Sequence, residues 1–180
     1  GKTVSYDTDI FTPLIQYIEK ASGKEYTFSF EASAESDLAI RVVADHIRAV
    51  SFAIADGQIP SNTGAGYVIR RILRRAVRYD YSFLDIKKPF LHELVGLFAD
   101  ILEDVLPEVN AERDKVAKIV HGEEKAFLIT LENGLKRFAA LEAKDGVING
   151  DDAFELFDTF GFPIDLTRLM GEEKGWALDE

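Results

Sequence analysis

Residues 70–78 read RRILRRAVR, and this stretch decides both the local structure and the charge pattern of the chain. Apolar residues recur here at intervals of three and four positions: Ile69, Ile72, Leu73, Ala76 and Val77. This spacing predicts an amphipathic helix with one apolar face against a core. At about 100° per residue the five arginines centre on the opposite face, so we expect them to point to solvent.

The arginine helix is a basic island in an acidic chain. Residues 57–79 contain five arginines and no Asp or Glu, so they carry +5 in a protein of net charge −11, which leaves −16 for the rest. Such an island is typical of a surface that binds a polyanion. Like-charge arginine pairs four residues apart also destabilise a helix by a few tenths of a kcal/mol each, unless an anion lies over them. Acidic side chains from elsewhere in the fold and a phosphate backbone are both open as that anion.

Composition limits the possible classes. A chain of 180 residues with 47% hydrophobic and 11% aromatic content is typical of a globular protein with one or two cores. No cysteine is present, which excludes disulfides and agrees with a reducing, cytoplasmic location. The three histidines share no ligand spacing, so we expect no metal site. No signal peptide and no apolar run near the ~20 residues of a membrane span are visible, so we expect no membrane contact.

Periodicity predicts an all-α fold of about six to seven helices, with one long helix and a short extended segment near the N-terminus. The extended segment is residues 25–30, and a possible seam between subdomains lies at residues 80–88. Besides the arginine helix, which follows a loop at 57–66, the predicted helices are 7–21, 36–55, one opening at Pro89, the long helix 110–143, 152–157, and one running from 164 or 165 toward 174. We expect Asp7 or Thr8 to cap the first helix and Ser36 to cap the second. A polar stripe on the second helix predicts a line of ion pairs: Asp37, Arg41, Asp45 and Arg48.

Two further segments carry polar side chains of interest. The first, PSNTGAGY at 60–67, leads into the arginine helix, and its Asn62 is either a helix cap or an amide able to contact a base edge. The second, FELFDTFGFPIDLT at 154–167, crowds four phenylalanines around a turn, where we expect core packing rather than base stacking. From the residues alone, its Asp158 is interpreted as stabilising that turn.

These segments, in this order, closely resemble the alanyl-tRNA synthetase family. The matching blocks are SYDTDIFTPLI (5–15), RVVADHIRAVSFAIADGQIPSN (41–62), GYVIRRILRRAVRY (66–79) and LFDTFGFPIDLT (156–167). The resemblance covers essentially the whole chain. It implies that residues 1–33 are the tail of a class II catalytic domain or a connector. Residues 34–180 are then the helical, tRNA-recognising middle region that follows the catalytic core.

The resemblance also implies a function. The family uses ATP to activate alanine and then transfers it to the 3′ end of its tRNA, and this region binds the acceptor stem of tRNA-Ala and recognises its G·U wobble pair. On that likeness Asn62 and Asp158 recognise the base pair. The arginines contact the RNA backbone: Arg70, Arg71, Arg74, Arg75 and Arg78. Ala65 stands where many members have arginine, which puts a phosphate contact there in doubt.

No catalytic residue can be assigned within these 180 residues, so we expect the segment to be inactive alone and without a cofactor. We also expect it to be monomeric. ATP with magnesium and a zinc site are expected in other parts of such an enzyme. A different class stays open, namely a helical protein-interaction module whose basic helix docks on an acidic partner. A helix-turn-helix DNA binder fits poorly, because the loop before the arginine helix is about ten residues rather than three or four.

Overall fold

The computed structural model describes residue 6 and residues 8–179. This part of the chain forms eight helices and one two-stranded sheet, which confirms the predicted all-α class with one helix more than expected. The helices are α1 Phe11–Ser22, α2 Glu35–Ala55, α3 Gly64–Phe83, α4 Leu91–Ile101, α5 Pro107–Ala111, α6 Arg113–Ala139, α7 Gly150–Phe160 and α8 Ile164–Glu173. No described helix is long and apolar enough to cross a membrane.

The chain divides into two compact units, Gly1–Lys125 and Ala126–Glu180, and the division falls within α6. Residues 80–88 therefore lie inside the first unit. The separation of residues 1–33 from 34–180 stays a prediction.

Helix α2 is the centre of the first unit, where it packs against α1, α3, α4 and α5. Its apolar side chains form a fully buried stripe along one side of the helix: Ile40, Val43, Ile47, Val50 and Ile54. Burying a side chain of this size stabilises the fold by about 1.5–3 kcal/mol, so α2 supplies much of the core. This agrees with the largely buried helix that its sequence predicts.

The polar stripe of α2 differs from the predicted line of ion pairs. Asp45 and Arg48 form an ion pair at 2.9 Å. Asp37 instead accepts the backbone N–H groups of Thr27 and Ser29, and Arg41 donates to the Ser29 carbonyl at 2.6 Å. These side chains satisfy backbone groups that a neighbouring strand would otherwise satisfy. Residues 25–30, all of them described, accordingly form a connector and no strand.

Several predicted helix ends are wrong. Ala34 precedes α2 and no side chain caps that end, so Ser36 is not the cap. The residue before α1 is Ile10 and no side chain caps that end, so Thr8 is not the cap, although its backbone carbonyl accepts the N–H groups of Phe11 and Thr12. Asp7 lies outside the described residues. The predicted helix 110–143 is shorter, because α5 ends at Ala111, Glu112 separates it from α6, and α6 ends at Ala139.

The second unit contains the end of α6, α7, α8 and a small parallel sheet that the sequence does not predict. Strand β1, Val147–Ile148, pairs with β2, Ala177–Leu178. Two-residue strands show no alternation of polar and apolar residues, so their pairing has no local signal. The predicted start of α8 at Ile164 is confirmed.

Candidate nucleic-acid interface

The loop at residues 57–63 is packed tightly onto the first turn of α3. The Ser61 N–H donates to the Gly66 carbonyl at 3.0 Å, and the Ser61 hydroxyl donates to the Thr63 carbonyl at 2.8 Å. A Cβ atom at position 66 would lie 2.3 Å from both the Ile59 carbonyl oxygen and Ser61 Oγ. Gly66 therefore permits a close approach of the loop that no other residue allows. This packing fixes the backbone on either side of Asn62.

Asn62 is exposed at the surface of this loop, and it does not cap α3. The cap position belongs to Thr63, and no side chain accepts a cap hydrogen bond there. The Asn62 Oδ1 atom instead accepts a short hydrogen bond from Arg70 Nη1. The capping interpretation of Asn62 is therefore wrong, and its amide is oriented by the arginine helix.

Arg70 is itself held by a carboxylate from α6. Its Nη2 lies 2.6 Å from Glu123 Oε1 and its Nε lies 3.1 Å from Glu123 Oε2, a bidentate pair. Arg74 Nη2 lies 3.7 Å from the same carboxylate. The sequence left open whether the anion near the arginines is a phosphate or an acidic side chain. At Arg70 and Arg74 it is an acidic side chain, Glu123.

The expectation that the arginines point to solvent is wrong. Arg78 is 6% exposed, and its guanidinium lies over the rings of Phe83 and Tyr79, with 4.8 and 5.5 Å to the ring centroids. The other four are half-buried: Arg70, Arg71, Arg74 and Arg75. The long aliphatic stem of an arginine can cover apolar surface while its charged group stays accessible, and an amphipathic pattern does not distinguish this from full exposure. On the opposite face the prediction is confirmed, because Ile69, Leu73, Ala76 and Val77 are buried, whereas Ile72 is half-buried.

Three titratable groups near this helix have shifted pKa values: Asp80 and Glu124 are buried, and His46 is half-buried. Partial burial and, to a smaller extent, the nearby Arg75 together lower the pKa of His46 to about 4, while Asp45 opposes the change. Burial raises the pKa of Glu124 to about 7, although hydrogen bonds from the Phe90 and Leu91 backbone lower it. Burial also raises the pKa of Asp80 well above its usual value, with a smaller contribution from Glu124. The side chain of Glu124, a residue of α6, accepts the buried N–H groups of Phe90 and Leu91 at the start of α4, which have no partner within that helix.

In the second unit, Asp158 lies on α7 rather than in a turn. The turn after α7 is closed by Gly161, which has a φ of 70° and donates to the Phe157 carbonyl, and by Thr130, whose hydroxyl donates to the Phe160 carbonyl at 2.7 Å. Asp158 takes no part in these bonds. Its exposed carboxylate makes no hydrogen bond or ion pair within the described residues.

The four phenylalanines around Asp158 differ in burial. Phe162 is fully buried against Phe127, and a Cβ at Gly134 would lie only 2.4 Å from its ring. Phe154 and Phe157 are 61% and 38% exposed. The expected core packing is confirmed for Phe162 and is wrong for these two.

Comparison with known proteins identifies the family. Residues 1–180 match the family described as "tRNA synthetases class II (A)". The chain belongs to this family. It is 54% identical to an alanine–tRNA ligase of Cytophaga hutchinsonii over 99% of its length, and 51% identical to alanine–tRNA ligases of Flavobacterium psychrophilum and Christiangramia forsetii over 100% and 98%. It spans about a fifth of the length of these curated relatives.

The structure of this class II (A) synthetase chain describes all seven residues that the sequence analysis predicts to contact RNA. It brings Asn62 and Arg70 into direct contact and adds Glu123, which sequence reasoning missed. The like-charge arginine pairs indicate that an anion lies over them, but they do not distinguish a phosphate from a carboxylate and do not select one of 32 acidic residues. No cluster of three potential metal ligands occurs among residues 6 and 8–179.

Proposed function

We propose that this chain is the part of an alanine–tRNA ligase that binds the acceptor stem of tRNA-Ala and recognises its G·U wobble pair. Its whole length matches proteins with that name at about half identity, and this observation carries the proposal. The ligase would activate alanine with ATP and transfer it to the tRNA. ATP with magnesium, and a zinc site, would belong to other parts of that enzyme.

The chemistry of the wobble pair favours Asn62 and Asp158 as its readers. RNA presents base edges and 2′-hydroxyls in a wide, shallow minor groove. In a G·U pair the guanine 2-amino group has no partner and projects into that groove. An unpaired carboxylate can accept from this donor, and the exposed Asp158 has that property. Asn62 lies in the first unit and Asp158 in the second, so the proposal requires that both side chains reach one base pair.

The arginine helix would contact the RNA backbone with its guanidinium groups, the residues in question being Arg70, Arg71, Arg74, Arg75 and Arg78. Arg70, Arg71, Arg74 and Arg75 are half-buried and Arg78 is buried, which restricts their motion, so Arg78 would have to leave the rings of Tyr79 and Phe83 to reach a phosphate. Planar guanidinium groups bind phosphate bidentately. The acidic remainder of the chain, at −16, would repel RNA elsewhere and favour binding at this island.

The test is charging of tRNA-Ala by the full-length protein that contains this sequence, with the natural G·U pair and with a G·C replacement. Asp158→Ala and Asn62→Ala should each reduce the preference for G·U, because a lost base contact typically removes ~1–3 kcal/mol of discrimination. Alanine activation by ATP–pyrophosphate exchange should change less than charging.

Matched controls lie close to each position. Asp151→Ala removes another exposed carboxylate from α7, and Gln58→Ala removes another exposed amide from the loop before α3. Neither control should alter the G·U preference. A mutant of Asp158 that keeps the preference but melts at lower temperature would show a structural role and contradict the proposal.

A further inference from the structure

The hydrogen bonds among Asn62, Arg70 and Glu123 determine which end of the Asn62 amide faces outward. A guanidinium has five N–H donors and no acceptor, so whatever faces it must be an acceptor. Arg70 Nη1 donates to Asn62 Oδ1, which turns the amide oxygen inward and leaves the amide NH2 as the outward group of this exposed side chain. Asn62 is therefore presented to a ligand as a donor.

Glu123 in turn holds the Arg70 side chain that orients the Asn62 amide. Glu123 binds Arg70 through two oxygens, at 2.6 and 3.1 Å, and only 16% of the Glu123 side chain is exposed. A bidentate pair fixes both the position and the plane of the guanidinium, which a single contact does not. The loop backbone is fixed separately by its packing on Gly66.

We propose that Arg70 and Glu123 are positioning residues: Glu123 locks the guanidinium of Arg70, and Arg70 holds Asn62 with its amide NH2 toward acceptors on the base-pair edge. This inference rests on the proposed function. It gives Arg70 a different task from the phosphate contact that the family resemblance implies. Minor-groove edges present purine N3 and pyrimidine O2 as acceptors, and the 2′-hydroxyl adds another.

Two substitutions separate positioning from phosphate binding. Arg70→Lys keeps the charge but removes the fork that spans Glu123 and Asn62. Glu123→Gln removes the charge that holds Arg70, which would release the guanidinium for phosphate. If Arg70 positions Asn62, each substitution lowers the preference for G·U over G·C by about tenfold, the usual scale of a lost base contact.

The phosphate alternative predicts the opposite pattern. Arg70→Lys would then keep the G·U preference, and Glu123→Gln would strengthen binding to both stems equally. Either result overturns the positioning role. Stem binding and charging are measured for both tRNAs with each variant of the full-length protein. The two variants test the positioning role independently, so if one of them fails to fold the other still tests it.

The controls distinguish failure of this inference from failure of the proposed function. Asp100→Asn makes the same type of change at the ion pair between Asp100 of α4 and Arg113 of α6, which does not involve Arg70 or Glu123, and should leave the preference intact. If Asn62→Ala loses the preference while Arg70→Lys and Glu123→Gln keep it, the proposed function stands and the positioning role is wrong. If Asn62→Ala itself keeps the preference, the reader role of Asn62 fails.

Discussion

At the scale of single residues, Arg75 and His46 form a coupled pair that can be measured directly. The positive charge of Arg75 adds to burial in lowering the pKa of His46 to about 4. Arg75→Ala should therefore raise this pKa, but not to the ordinary value of 6.5, because burial is the larger cause and remains. An NMR titration of the imidazole would check this, with Arg113→Ala as a control at an arginine paired elsewhere. An unchanged His46 titration would contradict the assigned coupling.

The raised pKa of Glu124 predicts how the stability of the protein depends on pH. Its pKa rises from 4.5 to about 7 on folding, so the folded state favours the protonated carboxyl. The resulting stabilisation is present below pH 4.5 and is lost as the pH rises through about 7, an effect of roughly 3 kcal/mol. Glu124→Gln cannot titrate and can still accept from the α4 backbone. Its free energy of unfolding should therefore change less between pH 4.5 and 7.

Chemical denaturation at several pH values would measure this difference. Glu132→Gln replaces an exposed carboxylate of α6 and should retain the wild-type slope. Burial also raises the pKa of Asp80, and this cause remains without Glu124, so some pH dependence should survive in the Glu124 variant. Equal slopes in the wild type and Glu124→Gln would rule out Glu124 as the titrating group.

At the scale of elements, two glycines of the first unit should respond to alanine in opposite ways. At Gly66 the added methyl would lie 2.3 Å from two loop atoms, so Gly66→Ala should displace the loop and destabilise the protein. At Gly122, inside α6, nothing lies within 4 Å, and alanine is the better helix former by about 1 kcal/mol. Gly122→Ala should therefore raise the melting temperature. If both variants melted alike, the close packing at Gly66 would be excluded.

Elements are also where sequence reasoning succeeds and fails for identifiable reasons. The face of α3 that contacts the core follows from the spacing of Ile69, Leu73 and Val77, since periodicity reports which side of a helix is apolar. The partner of the polar side does not follow, because Glu123 is 53 positions from Arg70 in the chain. Asn62 was ambiguous for the same reason, since its partner is Arg70 and not the adjacent helix end. The strands at Val147 and Ala177 carried no local pattern at all.

At the scale of the whole molecule, the 180-residue chain should show no ATP–pyrophosphate exchange by itself. The reason is that its sequence contains no recognisable arrangement of catalytic residues. The assay would use the purified chain with alanine, ATP and magnesium, and the full-length protein as a positive control. Exchange by the isolated chain above background would refute this prediction and place catalytic residues within it.

Because Glu123 and Glu124 are adjacent in sequence, two attachments of α6 depend on the same number of residues along the helix. Glu123 holds Arg70 of α3, and the next residue binds the backbone at the start of α4. One inserted residue between Arg113 and Glu123 would rotate both carboxylates by about 100° about the helix axis and break both attachments together. Insertions and deletions in this stretch should therefore be far more harmful than point substitutions at its exposed positions, such as Lys115 and Lys118.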